Sequence, residues 1–232
     1  MSKLYGKSAA IILAAGSGKR MNSAVKKQFL EINGFPIIYY SLKAFEEYGV
    51  DRIILVTSEG DVNYCEREIV DKYGLRVEAV IEGGKERYHS VYEGLKYLGN
   101  CDVVLIHDGA RPCLDNKIIE RAIEGATNHG ACIVGMPVKD TIKITDENGY
   151  AIQTPKRDCL WAIQTPQAFS YSLILQAYET MFETVGGEKN ITDDAMVVER
   201  FTQTEVKVVE GSYQNIKVTT PDDLVLVENY LN

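Results

Sequence analysis

The chain alternates short, unbroken apolar runs with longer segments of helical period. The runs are Ala9 to Leu13, Arg52 to Thr57 (RIILVT), Arg76 to Ile81, Cys101 to His107 (CDVVLIH) and Ala131 to Val138 (ACIVGMPV). Between them, helices are predicted after Pro36 (IIYYSLKAFEEY, ending at Gly49) and over Asp61 to Tyr73, Glu86 to Leu98 and Asn116 to His129. Strands that are apolar throughout are covered on both faces, so the pattern predicts an α/β fold: a mostly parallel twisted sheet with helices on both sides. Later, Leu160 to Phe169 returns to the core and Tyr171 to Phe182 reads as a helix. Thr192-Asp193-Asp194 caps a helix through Glu199, and Glu205 to Val209 and Ile216 to Thr219 read as short strands. Thr220-Pro221-Asp222-Asp223 opens the last helix with cap, proline and acidic turn in the favoured order.

One segment breaks the rhythm. Residues 139–158, KDTIKITDENGYAIQTPKRD, alternate β-branched and charged positions around an Asn148-Gly149 tip, the signature of a hairpin. Its free edges suit pairing with a second subunit, and packing on its own domain is the alternative. The expectation is one domain over 1–232 with residues 139–158 inserted as a β-arm.

With 232 residues the chain can bury a full core without disulfides. Its five cysteines (Cys65, Cys101, Cys113, Cys132, Cys159) include no C-x-x-C pair and read as structural thiols of a reducing cytoplasm. The formal net charge of -8 argues against a nucleic-acid partner, and no apolar stretch is long enough for a membrane span or is followed by a processing site. A small phosphate remains compatible, because it needs only a local cationic pocket.

Such a pocket is indicated by Ile11 to Met21, IILAAGSGKRM. A buried strand opens there into small residues, Ala14, Ala15, Gly16, Ser17 and Gly18, whose amides can approach an anion, with Lys19, Arg20 and Lys27 to add charge. It is not a P-loop, since Gly18-Lys19 is followed by Arg20, and a dinucleotide fingerprint lacks its third glycine at Met21 and its acidic partner. Ligands on parallel sheets bind at the carboxyl ends of strands, which joins Ala14 to Arg20, Gly83 to Ser90 and Asp108 to Arg111 in one crevice. Asp108 can hold Mg²⁺ or a hydroxyl there, or cap a turn, and Lys217 on its predicted strand would be costly facing inward without an anion. His107, Trp161 and Phe169 read as core residues, and Arg87 as either structural or functional.

LAAGSGKRM with the downstream KQFL resembles the signature of sugar-nucleotide and polyol-phosphate nucleotidyltransferases. Adding GGKERYHSV, HDGARPCL, PVKDTIK, LWAIQTPQAF, TDDA and NIKVTTPDDL, the chain resembles, along nearly its whole length, the 2-C-methyl-D-erythritol 4-phosphate cytidylyltransferases. The resemblance implies a Rossmann-like domain, a homodimer with swapped arms, and Mg²⁺-dependent transfer of CMP from CTP to a sugar-alcohol phosphate with release of pyrophosphate. It implies Arg20, Lys27 and Lys217 as cations at the α-phosphate, and Gly83, Gly84 and Ser90 at the cytosine. Arg157 would reach the acceptor phosphate in the neighbouring site, with Thr141, Thr165 and Arg111 among the acceptor contacts. Lys85 stands where some members carry an acidic residue. Three rivals stand beside this reading: a ribitol or other pentitol 5-phosphate cytidylyltransferase, a nucleotide-binding regulator without turnover, and an NAD-dependent dehydrogenase.

Overall fold

A computed structural model describes residues 6–16 and 25–231 of the chain. The sheet is built on β1 (Ser8–Ala14), which pairs in parallel with β4 (Arg52–Thr57) on one side and β6 (Val103–Asp108) on the other. Parallel β5 (Ala79–Glu82) forms the edge beyond β4. On the other flank β10 (Trp161–Ser170) runs antiparallel between β6 and β7 (Ala131–Pro137), and β11 (Lys207–Glu210) closes the sheet parallel to β7. The seven-stranded order is β11-β7-β10-β6-β1-β4-β5; the short hairpins β2 (Glu31–Ile32) with β3 (Phe35–Pro36), and β8 (Ile144–Thr145) with β9 (Ala151–Gln153), lie outside it.

Successive side chains of a strand point to opposite faces, and both faces here are dry. On β1, Ala10, Ile12 and Ala14 enter one core while Ala9 and Ile11 enter the other. The first core is completed by α1 (Ile37–Tyr48), α2 (Val62–Tyr64, continued by a π-helical stretch Cys65–Asp71) and α4 (Asn116–His129). The second holds α3 (Arg87–Leu98), α5 (Tyr171–Glu183) and α6 (Asp194–Phe201). Helix α4 buries Ile118, Ile119, Ala122, Ile123 and Ala126, one stripe at helical spacing, and each isoleucine so buried contributes about 1.5–3 kcal/mol. Its first turn is closed by Asp115, whose side chain accepts from Ile118 N–H at 2.8 Å. Helix α3 lies close on the sheet at Gly94, where a Cβ would fall 2.8 Å from Ile11 Cγ2. Helix α7 (Pro221–Leu231) packs Val227 with Ile32, Ile37 and Val218 in a small third cluster. Among the described residues no helix is long and apolar enough to cross a membrane.

Three expectations are corrected. Residues 216–219 form no strand: Val218 N–H donates to Ala110 O at 2.8 Å, but no ladder follows, so the segment is irregular backbone laid beside the end of β6. Trp161 is 38% exposed rather than core, because the first three residues of β10 continue outward into the arm; Phe169, at the other end of the strand, is fully buried as expected. The third predicted strand begins at Ala79 rather than Arg76, and the π-helical turns of α2 have no counterpart in the apolar pattern. Three cysteines, Cys65, Cys101 and Cys132, are buried, and burial pushes their thiols up to about 11, 12 and 12.

Candidate active site

The carboxyl ends of β1, β5 and β6 open into a cleft of about 370 Å³. Its lining combines Ala14, Ala15 and Gly16 with Lys27, Gly84, Ser90, Asp108 and Lys217. The crevice expected from the parallel topology is therefore present. Ser17, Gly18, Lys19 and Arg20 lie outside the described residues.

The start of the glycine-rich loop is fixed by side chains that the sequence did not single out. Gln28, 2% exposed, donates through Nε2 to Ala14 O at 2.6 Å and Gly16 O at 3.3 Å. Ser58 Oγ donates to Ala15 O at 3.1 Å. Three consecutive carbonyls are thus held from outside the loop, which sets its path before any ligand contributes. The signal for Gln28 was its place in the KQFL segment, where it is the buried residue of a half-buried turn; Ser58 carried none. Lys27 opens that turn, a 3₁₀ helix over Lys27–Phe29, and its Nζ donates to Val218 O at 3.1 Å.

Opposite lies the turn between β5 and α3. Gly83 N–H donates to Thr57 O at 2.7 Å, and Gly84 N–H to Ser90 Oγ at 3.2 Å. A Cβ on Gly83 would collide with Ser90 Oγ and one on Gly84 with His89 Cβ, so this turn is built for glycine. Glu86 caps α3 in a reciprocal box with His89. Lys85 lines the cleft beside it.

Asp108, at the last position of β6, is the electrostatic centre. Lys217 Nζ donates to its Oδ2 at 2.7 Å and Arg87 Nε to its Oδ1 at 3.3 Å, while its own N–H donates to Thr165 Oγ1 at 3.0 Å. Burial alone would raise its pKa, but Arg87 and then Lys217 outweigh that and hold the carboxyl well below the usual carboxylate range. Arg87 is also forked onto Asp194, Nη1 to Oδ1 at 2.9 Å and Nη2 to Oδ2 at 2.7 Å. Burial alone would lower the guanidinium; Asp194 and then Asp108 raise it well above its ordinary value.

Behind Asp108, His107 is fully buried. Its Nε2 lies 3.2 Å from Arg111 O, which can only accept, so Nε2 carries the proton; Nδ1 then accepts from Thr165 Oγ1–H at 3.1 Å. Burial pushes its pKa down to about 4 from 6.5. With both ring nitrogens engaged it is a core residue and no base, as expected. Thr165, 5% exposed, is committed to this chain and does not line the cleft. Arg111 turns aside, donating through Nη1 to Asn215 O at 2.7 Å, and burial lowers its pKa. Asn215, a further residue missed in the sequence, is fully buried and donates to Thr165 O at 2.9 Å.

Thr141 and Arg157 stand apart from this group. Residues 139–154 are exposed throughout, apolar Ile142, Ile144, Tyr150 and Ile152 included. Arg157 Nη1 reaches Lys139 O at 3.3 Å, within the arm itself. Neither residue lines the cleft.

The site therefore offers Lys27 and Lys217 to an anion, a loop of small residues, and one ionised carboxylate. No group of three or more His, Cys, Asp or Glu side chains converges among the described residues. This donor set fits a divalent ion bound by one carboxylate, Asp108, with phosphate and water supplying the rest, rather than a protein cage. It suits charge neutralisation and positioning, not attack by a protein nucleophile.

Comparison with known proteins places this geometry. The family model for 2-C-methyl-D-erythritol 4-phosphate cytidylyltransferase matches residues 8–232. The chain is 50% identical over 228 residues to the protein of that name from Clostridium perfringens, covering 97% of this chain and 99% of the relative. It is 48% identical over 223 residues to the one from Lachnospira eligens, covering 96% and 98%. Among solved structures it is similar to 4-diphosphocytidyl-2C-methyl-D-erythritol synthase from Anaerococcus prevotii, with TM-score 0.84 and 36% identity over 97% of this chain and 96% of that one. The Thermus thermophilus cytidylyltransferase superposes with TM-score 0.78 at 28% identity, over 96% and 98% of the two chains.

Proposed function

The chain belongs to the 2-C-methyl-D-erythritol 4-phosphate cytidylyltransferase family, and on that premise we infer that its cleft transfers CMP from CTP to 2-C-methyl-D-erythritol 4-phosphate. The products are pyrophosphate and 4-diphosphocytidyl-2-C-methyl-D-erythritol, a precursor on the non-mevalonate isoprenoid route. An oxygen of the acceptor phosphate bonds to the α-phosphorus as the bond to the β-phosphate oxygen breaks, and pyrophosphate leaves with that electron pair. The acceptor is already anionic, so no general base is needed, in keeping with a His107 whose nitrogens are both engaged.

The observation that carries this reading is the pair Lys27 and Lys217, which line one cleft with the small-residue loop and Asp108. Lys27 and Lys217, with Arg20, neutralise charge on the α-phosphate as the transition state forms, and Lys217 also holds the incoming phosphate in line. The turn at Gly83, Gly84 and Ser90 reads the cytosine, chiefly through backbone groups. Asp108 is the protein's ligand to Mg²⁺, which supplies further neutralisation of the triphosphate when bound.

The working unit is a homodimer in which the arm of one subunit carries Arg157 and Thr141 to the acceptor side of the other. The support is the arm itself: its apolar side chains are exposed and its arginine is remote from its own cleft. The net charge of -8 supports a small-molecule clientele without nucleic acid, and the unpaired cysteines support a reducing cytoplasm.

Pyrophosphate release tests the reading, with Mg²⁺, each of four nucleoside triphosphates, and methylerythritol 4-phosphate or ribitol 5-phosphate. Release with CTP and the methylerythritol phosphate is expected. Preference for ribitol 5-phosphate would keep the chemistry and move the enzyme to another route, and CTP binding without release would leave a regulator.

A further inference from the structure

Asp194 is fully buried and does not line the cleft, yet it is connected to Asp108 by a single side chain. Its carboxylate accepts both terminal N–H groups of Arg87 and, at Oδ1, the hydroxyl of Tyr178 at 2.6 Å. Its backbone N–H and that of Ala195 both donate to Gln167 Oε1 at 3.0 Å, and Gln167 Nε2 donates to Asp193 Oδ2 at 2.9 Å. The start of α6 is thereby fastened to the buried half of β10. The same strand carries Thr165, which accepts the backbone N–H of Asp108.

We infer that Asp194 is a positioning residue for the transfer reaction, acting through Arg87 to hold the carboxylate of Asp108. The inference rests on the cytidylyl-transfer reading of the cleft. A guanidinium is planar, so fixing its two terminal nitrogens on Asp194 also fixes the direction of Nε, which meets Asp108 Oδ1. Asp108 is consequently tied at its amide to Thr165 of β10 and at one oxygen to Arg87, whose anchor Asp194 opens the helix that Gln167 of β10 fastens. Only Oδ2 faces a partner on irregular backbone, Lys217. Exchange of partners at Asp108 is therefore confined to Oδ2, while the carboxylate plane stays still. Lysine at position 87 would keep the charge and lose that geometry.

The test combines steady-state kinetics with calorimetric CTP binding on Asp194→Asn, Arg87→Lys and the double variant. Expected is a loss in kcat on the order of 10- to 100-fold for each single variant, with CTP affinity changed less than about threefold, and a double variant no worse than either single one. A purely stabilising role would instead lower the melting temperature and leave kcat per CTP-binding site intact, which would overturn the inference, as would losses that simply multiply in the double variant. If Asp194→Asn does not fold, Tyr178→Phe replaces it: a smaller kcat loss that vanishes in the Arg87→Lys background is expected, and an unchanged kcat overturns the inference. Absence of turnover in the unsubstituted enzyme would overturn the cytidylyltransferase reading, and the inference with it.

Discussion

Lys217 Nζ donates to Asp108 Oδ2 at 2.7 Å, so a triphosphate must compete with a carboxylate for this cation. Asp108→Asn removes the competing charge. We expect it to bind CTP without metal about 3- to 10-fold more tightly, since a hydrogen bond to a charged group is worth about 1.5–3 kcal/mol and only part of that is regained, while turnover falls. Calorimetry in chelator, set beside pyrophosphate release, measures both; weaker metal-free binding would refute the competition.

Lys217→Ala and Lys27→Ala should each lower kcat by on the order of 100- to 1000-fold, the loss typical of a group that meets charge developed in the transition state. The test is the split between kcat and CTP affinity. A loss confined to affinity would make these lysines binding groups only.

His107 sets a pH dependence of stability. Its folded pKa, about 4, lies below the unfolded 6.5, so the unfolded chain binds the extra proton first. The contribution is complete above pH 6.5 and is lost as pH falls toward 4, amounting to about 3 kcal/mol. Denaturant melts from pH 7.5 to 4 should show this slope, and His107→Gln should flatten it. Asp108 adds to the slope, in the same direction, only at the acid end of that window, where its unfolded carboxyl begins to protonate while the folded one stays ionised.

Gly83→Ala should cost nucleotide binding and some stability, since the new methyl collides with Ser90 Oγ and presses on Val56 Cγ1 at 3.0 Å. Gly16→Ala makes a contrast: among the described residues nothing lies within 4 Å of its Cβ, so stability should hold and any loss should appear in CTP affinity alone. Thermal melts and calorimetry on the two variants check both statements.

For the arm, subunit complementation is decisive. Lys27→Ala and Arg157→Ala enzymes, each nearly inactive, should regain about a quarter of full activity when their subunits are exchanged at random, because a mixed dimer holds one intact site. No recovery would place Arg157 with its own subunit. Trp161→Glu should give monomers by light scattering.

The fold was legible because its strands are buried on both faces, so apolar runs such as Ile53 to Val56 mark them directly. Asn116 to His129 came out at its full length because the stripe of Ile118, Ile119, Ala122, Ile123 and Ala126 has one period and a clear cap. Segment 216–219 misled for the same reason: Ile216 and Val218 are apolar and alternate, but Val218 serves a side cluster with Val227, and no neighbouring strand is free to pair. The cleft was legible where small residues end a buried strand, as at Ala14 to Gly16, and where a lysine interrupts an apolar segment, as at Lys217. It was not legible where a polar side chain works inward across the fold. Gln28, Asn215 and Asp194 act through partners distant in the chain, and no local pattern announces that.

Strand β10 begins as exposed Trp161 and ends as buried Phe169 and Ser170, with Thr165 and Gln167 between them beneath Asp108. At its outer end it pairs with Pro137, whose carbonyl accepts from Tyr213 O–H at 2.9 Å, four residues before Lys217. The arm thus springs from the same strand that floors the cleft, but the register of that strand against β7 shifts between Ile163 and Gln167. The pairing of Trp161 at the outer end and the hydrogen bonds of Thr165 and Gln167 at the floor lie on either side of that break or within it, so the arm can be set against its surroundings without moving the carboxylate of Asp108 out of register.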